Sequence, residues 1–225
     1  MSIEETEVSE FNPLDVESLI RRLPKYFTIS VASKRNSGKS FLMGQVVQQL
    51  LKEKRVDMVL VMSGSAGLND DYNFLPPKLI MTFNEGVLKN MWQKQLSSKK
   101  EDRKHIFVVL DDCLTTPEAL RNNTINTIYS LGRHGFVSMA ICSQHTTSLL
   151  SPLIKTNSDQ IWWSKLSRAG LETLHDSTCN ISKKDFIYIC ETLGGVNYNF
   201  MVLDNYKQTN DPSEFLSVVR AAAVP

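Results

Sequence analysis

The chain lacks any apolar run near the roughly 20 residues that a bilayer-spanning helix requires, so no membrane span is expected. Its first residues, MSIEETEVSEF, are acidic and without an apolar stretch, which is not the pattern of a secretory signal. Cysteine is scarce. Cys113, Cys142, Cys179 and Cys190 show no CxxC spacing and sit mostly in apolar surroundings. They read as reduced thiols of an intracellular protein, not as a metal site or a disulfide frame. His105, His134, His145 and His175 are scattered without ligand spacing. The net charge is only +1, so a whole-chain basic footprint is missing and any nucleic-acid contact must come from a local patch. Internal repeats and low-complexity linkers are missing as well.

What is present is a folded protein. The 225 residues are 42% hydrophobic and 22% charged, enough for one large domain with a sizeable core. Residues 1–12 carry four glutamates and read as a solvated or partner-bound arm. A short amphipathic helix begins at Pro13-Leu14-Asp15, buries Val16, Leu19, Ile20 and Leu23, and is ended by Pro24. Arm and helix make residues 1–25 an N-terminal element, and residues 26–225 read as a single domain. Strands are expected at Tyr26–Ala32, Val56–Met62, Leu79–Phe83, Ile106–Leu110, Phe136–Ser143, Gln160–Trp163 and Tyr198–Leu203. Helices are expected at Lys39–Lys54, Asn84–Leu96, from Thr116-Pro117-Glu118, and at Thr124–Arg133, Ala169–His175, Lys183–Thr192 and Ser213–Ala222. Strands alternating with helices predict an α/β fold with a mostly parallel central sheet flanked by helices.

The sharpest motif is Ser33-Lys34-Arg35-Asn36-Ser37-Gly38-Lys39-Ser40, set between a hydrophobic strand and an amphipathic helix. That is the context of a phosphate-binding P-loop, GxxxxGK[ST], with Ser33 in place of the first glycine. Backbone N–H groups from about Asn36 to Ser40, with Phe41 following on the helix, would point at one anion. Lys39 would reach the β- and γ-phosphates of ATP, and the Ser40 hydroxyl would ligate Mg²⁺. The plainer alternative is a GKS at a helix start with Ser40 as a cap. A second motif, Ile106-Phe107-Val108-Val109-Leu110-Asp111-Asp112, puts two acids at the end of an apolar strand, the Walker B pattern. Asp111 would hold Mg²⁺, and Asp112 would orient or deprotonate the attacking water. Gln144, at the tip of the strand FVSMAICS, would face the γ-phosphate as a sensor; otherwise it is a solvated strand end. Arg133 precedes that strand. It reads either as a finger stabilising charge on the transferring phosphoryl group or as a cation at a helix C-terminus, with Arg35 and Arg168 as rivals. Because the strand is roughly 25 Å long, Arg133 is expected to act across a subunit interface if it acts at all. Trp162, Trp163 and Met58, Met62, Met81 and Met139 read as core. The charged run Lys99–Lys104 reads as a solvated turn, and is the weaker candidate for DNA backbone contact.

Taken in order, SxxxSGKS, FVVLDD, a helix ending LGRHG, a strand ending CSQ and the segment LLSPLIKTNSD resemble one family over about residues 26–205. It is the genome-packaging ATPases of large double-stranded DNA viruses and virophages, the poxvirus-type branch of the FtsK-HerA superfamily. The GRH and Pro152-Leu153-Ile154-Lys155-Thr156-Asn157 segments are the specific parts. Ser33 departs from a usual glycine, Asp112 from a common glutamate, and Lys155 from a common arginine. The resemblance implies an ATP-driven translocase of double-stranded DNA that fills a preformed capsid. It further implies a ring of like subunits, capsid proteins as partners, and residence in the host cytoplasm, a viral factory or the virion. It also implies that the strand carrying Gln144 lies between the P-loop and Walker B strands. The rival readings are another P-loop enzyme, such as a small-molecule kinase, and a non-catalytic nucleotide-binding assembly module.

Overall fold

A computed structural model describes residues 13–68, 70–114, 119, 122–144, 149, 151–176, 181–194, 196–207, 209 and 211–221. The acidic arm, the helix expected from Thr116 and Cys179 lie outside the described residues.

Among the described residues the elements run in this order. Strand β1 (Pro13–Leu14) and helix α1 (Val16–Arg21) precede β2 (Thr28–Ser33), α2 (Lys39–Lys52), β3 (Met58–Ser63) and β4 (Ile80–Met81). Then come α3 (Glu85–Ser97), β5 (Ile106–Asp111), α4 (Asn123–Leu131), β6 (Val137–Ser143), α5 (Pro152–Asn157) and β7 (Gln160–Ser164). The chain continues through α6 (Arg168–His175), α7 (Lys183–Leu193), β8 (Asn199–Asp204), α8 (Pro212–Phe215) and β9 (Leu216–Arg220). The strands form one sheet in the order β1-β9-β8-β7-β2-β6-β5-β3-β4. The pairings β7–β8 and β8–β9 are antiparallel, and the rest are parallel. Strand β6 lies between β2 and β5, the order that the sequence resemblance implies.

The alternation of side chains along each strand builds two cores, one on each face. Val108, Leu110, Met139, Ile141 and Trp163 point to one face, where α3, α4, α6 and α7 cover them through Trp92, Ile128, Leu174 and Phe186. Phe107, Val109, Ala140, Cys142 and Trp162 point to the other, against Leu42, Val46, Val47 and Leu50 of α2 and Leu19 and Ile20 of α1. The two tryptophans are therefore core residues on opposite faces, as their apolar strand suggests. The sheet is covered on both faces, which is why its central strands are mostly apolar, with small buried polar residues such as Ser30 and Ser138 among them. Function is then confined to the sheet's edges and to the loops at the strand ends.

Three expectations need correction. The helix expected over Ser213–Ala222 does not form in its described part, 213–221: a single turn, α8, gives way to β9. Leu216-Ser217-Val218-Val219 is rich in β-branched residues, and pairing with β8 and β1 satisfies its backbone where an isolated helix end could not. At the other terminus Pro13 and Leu14 do not begin the helix. They pair with β9 at the sheet's edge, where proline is tolerated, and Asp15 caps α1 by accepting from Ser18 N. The strand expected at Leu79–Phe83 shortens to Ile80–Met81 after a turn at Pro77–Leu79.

Candidate nucleotide-binding site

Strand β2 ends at Ser33, and the loop Lys34–Gly38 turns directly into α2. Ser33 stands in extended backbone inside β2, so its Cβ costs nothing there. Its buried hydroxyl accepts from Ser37 Oγ at 2.8 Å and ties the two ends of the loop together, a bond no glycine makes. Asn36 sits at φ +55°, where asparagine is better tolerated than most residues. Gly38 sits at φ +85° as the cap of α2, with no side chain capping the helix. The first intrahelical bond is Leu42 N to Gly38 O, so the N–H groups of Lys39, Ser40 and Phe41 lack helical acceptors and suit an anion. Lys34 and Arg35 are exposed on this loop, while Ser37 and Lys39 are buried.

Strand β5 delivers Asp111 and Asp112 to the same end of the sheet. Lys39 Nζ donates to Asp112 Oδ2 at 2.5 Å, and Gln144 Nε2 donates to the same oxygen at 3.1 Å. Three separately placed motifs thus meet at one carboxylate. Asp112 holds φ +47° to do so, a strained conformation of the kind found at functional sites. Lys39 is almost entirely enclosed, whereas Asp112 is about a third exposed, at 32% of its side-chain surface.

Asp111 is buried behind this pair. Burial pushes its carboxyl above the usual range, against the opposing pull of Lys39 and Ser40. The Tyr72 hydroxyl donates to Oδ2 at 3.0 Å, while Oδ1 has no hydrogen-bond partner. Burial and the adjacent Asp111 raise the Tyr72 hydroxyl well above its ordinary range, so it stays a donor. A buried, unsatisfied carboxylate oxygen beside a serine hydroxyl fits a hard divalent cation. Among the described residues no cluster of three or more acids, histidines or cysteines could cage a metal. Mg²⁺ is commonly held by one or two protein groups and the substrate's phosphates.

Sequence reasoning missed what supports this carboxylate pair. Tyr72 lies in a loop without periodicity, and two glycines let the surrounding chain close. A Cβ on Gly44 of α2 would lie 2.6 Å from the Asp71 carbonyl oxygen, so glycine admits the Tyr72 loop against the P-loop helix. A Cβ on Gly64, just after β3, would lie 2.5 Å from the Asp112 carbonyl oxygen. Glycine there lets Asp112 settle between β3 and β6, with its N–H donating to Cys142 O at 3.1 Å.

Arg133 is not brought to this cluster. It lies in the turn Gly132–Gly135 before β6, at the opposite end of a strand whose seven residues span about 23 Å. There it lines a cavity of about 460 Å³ with Lys25, Tyr26, Thr156, Asn157 and Asp159. The Pro152–Asn157 segment forms α5 at this far edge, where Asn157 O accepts from Thr28 Oγ1 and Lys155 O from Asn205 Nδ2. Arg168, in contrast, starts α6 after the end of β7, on the P-loop edge, and is largely exposed with a loose ion pair to Glu172 at 3.7 Å. The run 99–104 is an exposed turn, in which Arg103 is spent on the carbonyls of Leu96, Ser98 and His134.

The sequence matches no family model and no curated protein. The structure resembles solved ones. The DNA-packaging ATPase B204 of Sulfolobus turreted icosahedral virus shares 15% identity at a TM-score of 0.61, over 89% of this chain and 99% of that one. The genome-packaging NTPase B204 of Sulfolobus turreted icosahedral virus 2, in complex with AMPPCP, shares 16% identity at 0.62, over 89% and 100%. The pCW3 conjugation coupling protein TcpA with ATPγS shares 16% identity at 0.60, over 87% of this chain and 60% of that one. With the sheet order, the loop and the acid pair in view, the chain has the P-loop NTPase fold, in an arrangement that extends over nearly the whole length of the two viral packaging NTPases.

Proposed function

We propose that this chain hydrolyses ATP with Mg²⁺ and uses the energy to move double-stranded DNA into a preformed viral capsid. The observation that carries the ATPase reading is the meeting of Lys39 and Gln144 on Asp112 Oδ2, with buried Asp111 next to it. Phosphoryl transfer needs positioning and charge neutralisation more than covalent chemistry, and these groups supply both. The N–H groups at the start of α2 and the Lys39 ammonium bind the phosphates. Ser40 and Asp111 would hold Mg²⁺, which neutralises charge on the phosphates. Asp112 accepts a proton from, or orients, the attacking water, and Gln144 senses the γ-phosphate through the same carboxylate. Asp112 stands where a glutamate is common, and the strained turn after β5 carries its shorter side chain toward Lys39.

The DNA role rests on likeness of fold to a viral DNA-packaging ATPase and to a conjugation coupling protein. A net charge of +1 favours an assembly in which several subunits each present one basic loop to the duplex. A homo-oligomeric ring, capsid proteins as partners and a place in the host cytoplasm, viral factory or virion follow from that reading. Of the candidate fingers, Arg168 is exposed on the nucleotide edge of its own subunit, while Arg133, a strand's length away, would act only across a subunit interface. Phosphate release with and without duplex DNA tests the proposal. Stimulation by duplex supports the translocase. Turnover that ignores duplex but follows a small acceptor points to a kinase, and tight binding without turnover points to an assembly module.

A further inference from the structure

The P-loop has two flanks. On the β6 side stand Asp112 and Gln144, the end at which a γ-phosphate would react. On the β7 side the antiparallel pair β8–β9 returns to the same edge, and its residues come up against the loop. A Cβ on Gly38 would lie 3.4 Å from Tyr198 Cδ1 and 3.0 Å from Ala221 Cβ. Tyr198 O accepts from Ala221 N at 3.1 Å, which fixes the tyrosine's backbone to the end of β9. Its side chain is nevertheless 55% exposed. Tyr198 and Lys165 both adopt left-handed backbone, φ +62° and +52°, and the Lys165 ammonium lies 6.0 Å from the centre of the tyrosine ring. At the end of β7, immediately before Lys165, the buried Ser164 Oγ has no hydrogen-bond partner. An aromatic ring held by strained backbone, half exposed beside a phosphate loop, is costly unless something covers it.

We infer that Tyr198 is the stacking platform for the nucleobase, with Lys165 as the cation beside it. The inference rests on the P-loop reading above, because direction comes from it. A triphosphate whose γ end points to Asp112 and Gln144 must leave the loop on the other flank, and that flank carries Tyr198. The ring stands on the end of a paired strand, so it offers its face without having to be ordered first. Stacking uses a π-face that every base has, so the platform by itself does not choose between adenine and guanine.

The test is calorimetric titration of the intact protein, its Tyr198→Ala and its Tyr198→Phe variants with AMPPCP and with inorganic tripolyphosphate, both with Mg²⁺. Tripolyphosphate occupies the loop but has no base. The Ala variant should lose about tenfold in AMPPCP affinity, the size of one aromatic stack, with tripolyphosphate affinity within twofold of wild type. The Phe variant should bind both as wild type does. Unchanged AMPPCP binding by Tyr198→Ala overturns the inference. So does an equal loss for both ligands, which would make Tyr198 a packing residue against Gly38. If the wild-type protein binds tripolyphosphate but gains nothing from the nucleoside, the platform is wrong while the P-loop stands; if it binds neither, both fall.

Discussion

Replacing Asp112 with asparagine separates binding from turnover. Asp112 Oδ2 accepts from both Lys39 and Gln144, at 2.5 and 3.1 Å. Asparagine keeps an oxygen that can accept both bonds and removes only the charge and the basicity. Breaking a buried ion pair by deleting one partner costs about 3–5 kcal/mol. Here the carboxylate is 32% exposed and Asp111 remains as a second anion near the lysine, so a loss of ~1–2 kcal/mol is the better expectation. For a chain of this size that lowers Tm by roughly 2–8 °C. Affinity for AMPPCP should hold or tighten, because Lys39 no longer divides its charge between Asp112 and the phosphates. Turnover should fall by about 10²–10⁴, the usual worth of a positioned general base. Thermal unfolding, calorimetric titration and phosphate release read these three quantities separately. A tenfold or greater loss of AMPPCP binding that matches the loss of turnover would refute the reasoning and make Asp112 a binding or folding residue.

Asp111→Asn should raise Tm relative to wild type at pH 8 while abolishing turnover, since asparagine keeps an acceptor for Tyr72 and removes a buried charge. Asp111's folded-state carboxyl is raised by burial, so protonation favours the folded wild type as pH falls through that value; the Tm gap should therefore shrink as pH falls from 8 toward the ordinary aspartate range. Gly64→Ala should reduce kcat by about tenfold or more and lower Tm as well, because a Cβ 2.5 Å from the Asp112 carbonyl oxygen forces the backbone apart and displaces that residue. Gly135→Ala should cost stability alone: a Cβ 2.3 Å from Trp92 Cζ3 overpacks the far edge, costing ~1–3 kcal/mol by chemical denaturation and leaving AMPPCP affinity unchanged.

The strands and helices around the site were legible because their signals are local and agree. β-branched β2 and apolar β5 end in Ser33 and Asp111, α2 has a clear apolar face, and Asn84 caps α3 by accepting from Val87 N. The loop's missing glycine looked like a departure, yet strand backbone at Ser33 and its bond to Ser37 explain it. The C-terminal strand was misread because Leu216, Val218 and Val219 satisfy helical spacing as readily as a strand's, and only the pairing with β8 decides. Tyr72 and Tyr198 were invisible for a related reason. Each reaches the site through a long-range closure, at Gly44 and at the β8–β9 pair, that leaves no periodic trace nearby.

The central claim is that Lys39 and its loop drive ATP hydrolysis, and phosphate release by Lys39→Ala with Mg²⁺ and ATP tests it most directly. With circular dichroism showing an unchanged fold, the account predicts that the wild-type protein releases phosphate and that the variant falls to the buffer's background, with AMPPCP binding weakened as well. Hydrolysis by Lys39→Ala at the wild-type rate would contradict it.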